Sequence, residues 1–372
     1  MKPIRVLHLA SPGIGGIENY IFSHYKYMDQ SRFKFDFLTQ NRGLKNAKEF
    51  QQFNYEVKLL PTTAAKDREL FIREVKEILT EGRYDVFHLN TCYWTGFLLE
   101  EIAQEVGVPK VIVHSHSTFI DENDPDKREQ LLRCHEEIKA IFPASLATDF
   151  WACSGTAADW LFGSQIPREQ IKIMKNAIEL ERFQFSRQKR EQIRAELGLE
   201  NSLVLGTTGR LAYQKNHSFL VALFSEFVKK YSLAKLLIIG DGELRKELEK
   251  QICNSQLEAN VFMLGWKTNV EDYLQAMDIF LLPSRFEGNP ISVFEAAASG
   301  LQCVISDSIT AETEVLKTVQ RVPLEITLWQ SAIATAQKET IDRRNGVKMV
   351  RDAGYDVSRQ AKVLEGLYTE EK

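Results

Sequence analysis

The sequence predicts an α/β protein built from two Rossmann-like parallel-sheet domains in series. Short apolar runs alternate with helix-like stretches along the whole chain, as strands buried on both faces by helices do. The runs break off into turns rich in glycine or proline, and the alternation restarts after a charged stretch in the middle of the chain. With 372 residues there is room for about two domains, each with its own core. The composition, 44% hydrophobic and 26% charged, is that of a globular protein, and a net charge of −4 supplies no basic field for nucleic acid. A small ligand is the expected partner. The run Ile4 to Ala10 is too short for a signal peptide and no other run approaches a membrane span, so a cytoplasmic location is expected. The five cysteines, Cys92, Cys134, Cys153, Cys253 and Cys303, form no CxxC pair and read as reduced thiols.

In the first half, IRVLHLA is followed by a helix from about Gly16, then by FKFDFLT, YEVKLL, DVFHL and KVIVHSH. The first turn, SPGIGGIE, places Gly13, Gly15 and Gly16 between strand and helix, where an anionic group can approach the backbone closely. Two other readings compete: a plain tight turn, and a dinucleotide site with Asp36 as the ribose-binding acid. The second lacks the G-x-G-x-x-G spacing, and Asp36 falls inside its strand. His114 and His116 in VIVHSHST sit at the carboxyl end of a strand and, two apart, face the same side. One structural imidazole and one facing a cleft is favoured over a zinc pair, which would want further ligands that no H-E-x-x-H or Cys/His cluster supplies. Asp124 and Asp126 form a D-x-D, in a charged loop that favours a solvated or acceptor-side role over a metal. Between Lys26 and Lys48, six basic residues (Lys26, Arg32, Lys34, Arg42, Lys45, Lys48) face two acidic ones, a local excess of +4 suited to an anionic lipid surface or simply to water.

A hinge is expected around Asn176 to Glu181, before the charged FSRQKREQIRAELGL. SLVLGTTG, a helix from about Asn216, AKLLIIGDG, NVFML, DIFLLPS and QCVIS then repeat the architecture, so a cleft between domains is the expected site. GRLAYQKN carries Arg210 and Lys215 in a strand-to-helix turn, two cations able to neutralise a diphosphate as a metal ion does elsewhere. GDGEL offers Gly240 and Gly242 for a flat base or ribose, or for a plain turn. In FEGNPISVFEAAASG, Asn289 reads as a helix cap, Pro290 as the first helical residue and Gly300 as a left-handed stop. Two carboxylates, Glu287 and Glu295, lie eight positions apart there. A helix start favours phosphate, and carboxylates favour hydroxyls, which together describe a nucleotide sugar.

GRLAYQKN followed by FEGNPISVFEAAASG resembles the retaining glycosyltransferases of family 4, which have the GT-B fold. GGIE, HSH, KNAIE, LGW and YDVSRQAKVLEGLY also fall where that family has recognisable features, and ACSGTAADWLFG is similar to its bacterial capsule- and exopolysaccharide-building members. The resemblance implies an acceptor-binding domain over residues 1–177 and a nucleotide-sugar domain over 178–354. It implies too a helix over 355–372 returning to the first domain. By the same resemblance Glu295 would hold the ribose and Glu287 the sugar hydroxyls. Arg210 and Lys215 would hold the diphosphate with backbone groups after Pro290 and from Gly16. His114 would face the sugar, and Gly15, Gly240, Gly242, Trp266 of LGW, Gly288, Asn289 and Ile291 would complete the donor site. Gly16 and His116 would meet the acceptor. Asn289 departs from the small or aliphatic residue many relatives carry, which leaves the donor sugar open. The resemblance implies that neither a divalent metal nor a cofactor is required. The reaction it implies is retaining transfer from a nucleotide sugar, UDP first, to a lipid-linked sugar, with peripheral contact at the inner membrane surface among the expectations. A nucleotide-sugar epimerase and a non-catalytic nucleotide-sugar binder are the alternatives.

Overall fold

The computed structural model describes residues 2–10, 15–40, 53–339 and 341–370. Gly13 of the first glycine turn, and Arg42, Lys45 and Lys48 of the basic excess, lie outside the described residues. The chain forms two compact units, one of Met1–Ile120, Glu129–Ala177 and Val357–Lys372, the other of Asp121–Arg128 and Ile178–Asp356.

The first unit holds seven strands: β1 (Ile4–Leu9), β2 (Phe33–Thr39), β3 (Val57–Leu59), β4 (Val86–Thr91), β5 (Lys110–Ser115), β6 (Asp149–Ala152) and β7 (Ile171–Ile173). Their order is β3-β2-β1-β4-β5-β6-β7, every pair parallel. The second unit holds β8 (Val204–Thr208), β9 (Lys235–Ile239), β10 (Val261–Gly265), β11 (Ile279–Leu282), β12 (Gln302–Ser306) and β13 (Val319–Val322), also parallel, in the order β10-β9-β8-β11-β12-β13. Side chains alternate between two buried faces. Val6 and Val86 pack with Phe35 and Trp151, whereas the adjacent Leu7 and Phe87 pack with Trp94 and Phe150. In the second unit Leu205 and Leu281 join one cluster, and Val204 and Phe280 the other. Each such side chain contributes roughly 1.5–3 kcal/mol on full burial.

Both sheets reverse their winding once, between β1 and β4 and between β8 and β11. Loops leaving the carboxyl ends of the two strands at such a reversal diverge, and the crevice they leave is where open parallel sheets bind ligands. The sequence motifs GRLAYQKN and FEGNP follow β8 and β11, so the fold delivers them to one such edge.

Helix ends obey local rules with one displacement. Asp124 Oδ1 accepts from the backbone N–H of Asp126 (2.9 Å) and Lys127 (3.1 Å), and Pro125 opens the helix Pro125–Ile141. The expected loop around D-x-D is thus a helix start. The helix Ile291–Ala298 begins one residue later than expected: Pro290, not Asn289, is its cap residue. Gly300 takes φ +70°, the left-handed stop, and a Cβ there would lie 2.3 Å from Arg343 backbone atoms. The terminal helix Val357–Thr369 packs Ala361, Leu364 and Tyr368 into the first unit's core. Lys110 Nζ donates to the carbonyls of Leu367 (2.7 Å) and Glu370 (2.9 Å) at its end, where a cation is favoured.

Candidate active site

At the β8/β11 edge the structure builds a closed set of contacts around Glu287. Lys215 ends a 3-10 turn, Tyr213–Lys215, and Asn216 follows in the left-handed region with φ +54° before the helix His217–Lys230. The lysine side chain lies across Gly209, whose absent Cβ would stand 3.1 Å from Lys215 Cε. Its Nζ donates to Glu287 Oε1 at 2.7 Å, and Ser284 Oγ donates to the same oxygen at 2.7 Å. Gln214 Nε2 donates to Glu287 Oε2 and to the Phe286 carbonyl, each at 3.1 Å. Backbone pairing of Glu287 with Ile309 and a bond from Arg285 N to Gln214 O (2.8 Å) hold the loops.

Lys215 and Glu287 form a sheltered ion pair, with side chains 16% and 8% exposed. Arg210 behaves differently. Its guanidinium pairs with Asp121 while 58% of the side chain stays exposed, and Asp121 Oδ1 also accepts from Gln214 N at 3.0 Å. An exposed pair of this kind contributes at most about 1 kcal/mol and is easily exchanged for another anion. Both cations expected to serve a diphosphate are therefore already matched to carboxylates of the chain. Asp121, Gln214 and Ser284 were not among the residues singled out from the sequence.

Glu295 projects from the helix Ile291–Ala298 and makes no side-chain hydrogen bond or ion pair among the described residues. Burial pushes its carboxyl up to about 7, the charge of Arg182 opposing and that of Glu271 reinforcing the shift. Arg182 itself donates to Glu271 Oε2 at 2.8 Å. Trp266 is 62% exposed, while Gly288, Asn289 and Pro290 are buried in the turn and Ile291 is half-buried. Gly240 and Gly242 make room for the protein's own backbone: a Cβ would stand 1.9 Å from Gly209 O at the first and 2.5 Å from Leu211 O at the second. These glycines let the β8 and β9 loops zip together, with Leu211 N donating to Asp241 O at 3.0 Å.

In the first unit, Glu18 Oε2 accepts from Gly15 N at 2.9 Å, so the start of the helix Gly16–Tyr27 is served by the chain's own carboxylate. Asp36 is fully buried and takes bonds from Arg5 Nη2 (2.7 Å), Tyr84 Oη (3.1 Å) and Glu56 N (2.9 Å), which makes it a structural anchor of β2. Polar residues in three apolar strands converge on one face of this sheet. His8 is in register with His88, and Asn90 with His114. His88 Nε2 lies 3.1 Å from His114 Nδ1, His88 Nδ1 lies 2.8 Å from the Tyr368 hydroxyl, and His116 Nε2 lies 2.9 Å from Asn90 Oδ1. The two histidines, expected to face the sugar (His114) and the acceptor (His116), differ in exposure. His114 has no exposed surface, being covered by His116 (ring centroids 4.0 Å apart) and by Tyr20 (5.5 Å), whereas His116 is half-buried. His88 and Asn90 were missed, although a polar residue inside an apolar strand is a visible signal.

Burial holds His8 down to about 3 and His24 to about 4, and drives His88 and His114 well below the usual imidazole range, with neighbouring histidines adding to the effect for His8, His88 and His114. Their unfolded forms charge near pH 6.5, so below that pH the unfolded chain binds more protons and stability falls as pH falls. Each neutral histidine contributes a slope of up to about 1.4 kcal/mol per pH unit. Denaturant melts between pH 7.5 and 5.5 are expected to show uptake of more than two protons on unfolding; a flat profile would contradict the buried neutral cluster.

Among the described residues no three His, Cys, Asp or Glu side chains are grouped to hold a metal ion, and no helix is long and apolar enough to cross a membrane. Among the described residues no disulfide joins any of the five cysteines.

Comparison with known proteins agrees in both units. The family model for family 4 glycosyltransferases matches residues 14–182, and that for group 1 glycosyl transferases matches residues 189–334. EpsF of Bacillus subtilis, provisionally described as a glycosyltransferase, is 32% identical over 98% of this chain and 96% of its own length. An Escherichia coli enzyme named as a UDP-Gal:α-D-GlcNAc-diphosphoundecaprenol α-1,3-galactosyltransferase is 25% identical over 82% of this chain and 79% of its own. Among solved structures, HepE of Anabaena in complex with UDP superposes with a TM-score of 0.76 at 18% identity, covering 99% of this chain and 100% of that one.

Proposed function

Because this chain belongs to the family 4 glycosyltransferases and has their GT-B fold, we propose that it moves a sugar from a nucleoside diphosphate to an acceptor hydroxyl with retention of configuration. The observation that carries this reading is the sheltered Lys215–Glu287 pair at the β8/β11 reversal, flanked by Ser284 and Gln214 and close in sequence to a helix start. UDP is the expected nucleotide, since a relative named for UDP-galactose and a fold neighbour solved with UDP support that choice. The diphosphoundecaprenol in the first of those names supports a lipid-linked acceptor, and peripheral contact with the cytoplasmic face of the membrane belongs to the same proposal. No divalent metal is needed in this reading.

Lys215 and Arg210 supply the positive charge that stabilises the departing diphosphate, Arg210 by exchanging Asp121 for phosphate. Glu287 does not attack the anomeric carbon. Three donors already engage its two oxygens, which lowers its nucleophilicity and suits it to orienting hydroxyls. In the first unit His116, not the covered His114, is the imidazole accessible to a sugar hydroxyl.

Glu295 accepts from the ribose hydroxyls as a carboxylate. Since its free form titrates at about 7, nucleotide affinity is expected to be full above pH 7 and to weaken by up to about tenfold per unit below it. Calorimetric titration of UDP between pH 6 and 8 measures this; the same slope in Glu295→Gln would refute the assignment. The reaction itself is tested by incubating nucleotide sugar with a diphosphoundecaprenol-linked acceptor and determining the product's anomeric configuration by NMR, with and without EDTA. Retention and full activity in EDTA are expected. Inversion, epimerised free donor, or an absolute requirement for manganese would overturn the corresponding part of the reading.

A further inference from the structure

We propose, resting on the reading of His116 as the ligand-facing imidazole, that Asn90 fixes its tautomer, so that His116 meets a sugar hydroxyl with an unprotonated Nδ1. Asn90 lies near the carboxyl end of β4, 8% exposed, in register with His114 of β5. Its amide can be oriented from its surroundings. Nδ2 stands 3.0 Å from the Leu9 carbonyl, with the His88 carbonyl and His8 Nδ1 each at 3.4 Å. Carbonyl oxygens only accept, so the NH2 group occupies that end and Oδ1 occupies the other.

Oδ1 faces His116 Nε2 at 2.9 Å, and an amide oxygen can only accept. The imidazole must therefore carry its proton on Nε2. A neutral ring has one such proton, which leaves Nδ1 as a lone pair with no donor to it among the described residues. The bond from His116 N to Thr91 O, at 3.0 Å, ties the residue's backbone to the end of β4, so ring and amide are held by the same strand. Burial resists a second proton on the ring, moving His116 down to about 3.

The chemical consequence is selectivity. A bare imidazole nitrogen accepts from the O–H of a sugar and is repelled by the lone pairs of a phosphate oxygen. Asn90 thus acts as a positioning residue that makes His116 a hydroxyl reader. With the opposite tautomer the same ring would be a phosphate donor.

The test is NMR of the full chain labelled with 15N-histidine, the His116 signals being those lost in His116→Gln. At pH 7.5 the expected pattern is a protonated Nε2 and a bare Nδ1. Asn90→Leu is expected to give mixed tautomers and about a tenfold lower kcat/KM, the loss of one oriented hydrogen bond. Asn90→Asp, which still offers an acceptor, is expected to keep the Nε2–H form. A protonated Nδ1 in the natural protein overturns the proposal, as does an unchanged tautomer in Asn90→Leu. Should Asn90→Leu not fold, the spectrum of the natural protein decides. Full transfer by His116→Gln alongside the expected spectrum would leave the tautomer standing and overturn the ligand-facing role, and with it the functional half of the proposal.

Discussion

Lys215→Ala lowers the rate of sugar transfer by about a hundredfold or more, the loss expected when a fixed charge is removed from a site where charge develops. Lys215 is held over Gly209 and bonded to Glu287 at 2.7 Å, so its ammonium is positioned before any ligand arrives. The same substitution strips a sheltered carboxylate of its counter-ion, which costs about 3–5 kcal/mol of stability. Rates are therefore compared on folded protein, well below the variant's melting temperature. Arg210→Ala provides the internal contrast. Its side chain is 58% exposed, and its effect on stability is expected to be under about 1 kcal/mol. Near-normal turnover by Lys215→Ala would remove the residue from the mechanism.

Glu287→Gln also costs about a hundredfold in turnover, with a different signature. Glutamine keeps the shape, and its oxygen can still accept from Ser284 Oγ and Lys215 Nζ, but its NH2 end then meets Gln214 Nε2, a donor facing a donor. The neutral side chain no longer balances Lys215. UDP alone is accordingly expected to bind at least as tightly as to the natural protein while transfer collapses, a split that calorimetry and product analysis together detect. Weakened UDP binding with unchanged turnover would contradict the placement of Glu287 beside the sugar.

The two-sheet architecture was legible because strands such as FKFDFLT and QCVIS are short, apolar and bounded by turns; β2 and β12 span those very residues. DFWA, IKI and VQRV escaped notice. They are four, three and four residues long, and the last two form sheet edges, where partial burial lets polar residues interrupt the pattern. Asp124-Pro125 reads as a charged loop in the sequence although Asp before Pro can open a helix, as it does here, and the start expected at Asn289-Pro290 comes one residue late, since Pro290 itself takes extended dihedrals, φ −76° and ψ 99°. At the site, charge was visible and pairing was not. Lys215 and Glu287 stand out in any sequence, whereas Gln214 and Ser284 are ordinary neutral residues that gain meaning only from 3.1 and 2.7 Å contacts to that carboxylate. The alternation in VIVHSHS puts His114 and His116 on one face, yet only the packing of Tyr20 and of His116 itself decides which ring is covered.

In the proposed reaction the β8/β11 edge binds the diphosphate of a nucleotide sugar through Lys215. Thermal melts of the natural protein and of Lys215→Ala against UDP-, GDP-, ADP- and dTDP-sugars test it most directly, because a ligand that binds only the folded state raises its stability with the logarithm of concentration over Kd. At least one nucleotide sugar, UDP-linked by expectation, should raise the melting temperature of the natural protein and fail to raise that of the variant. No stabilisation by any of the four classes, or equal stabilisation of both proteins, would contradict it.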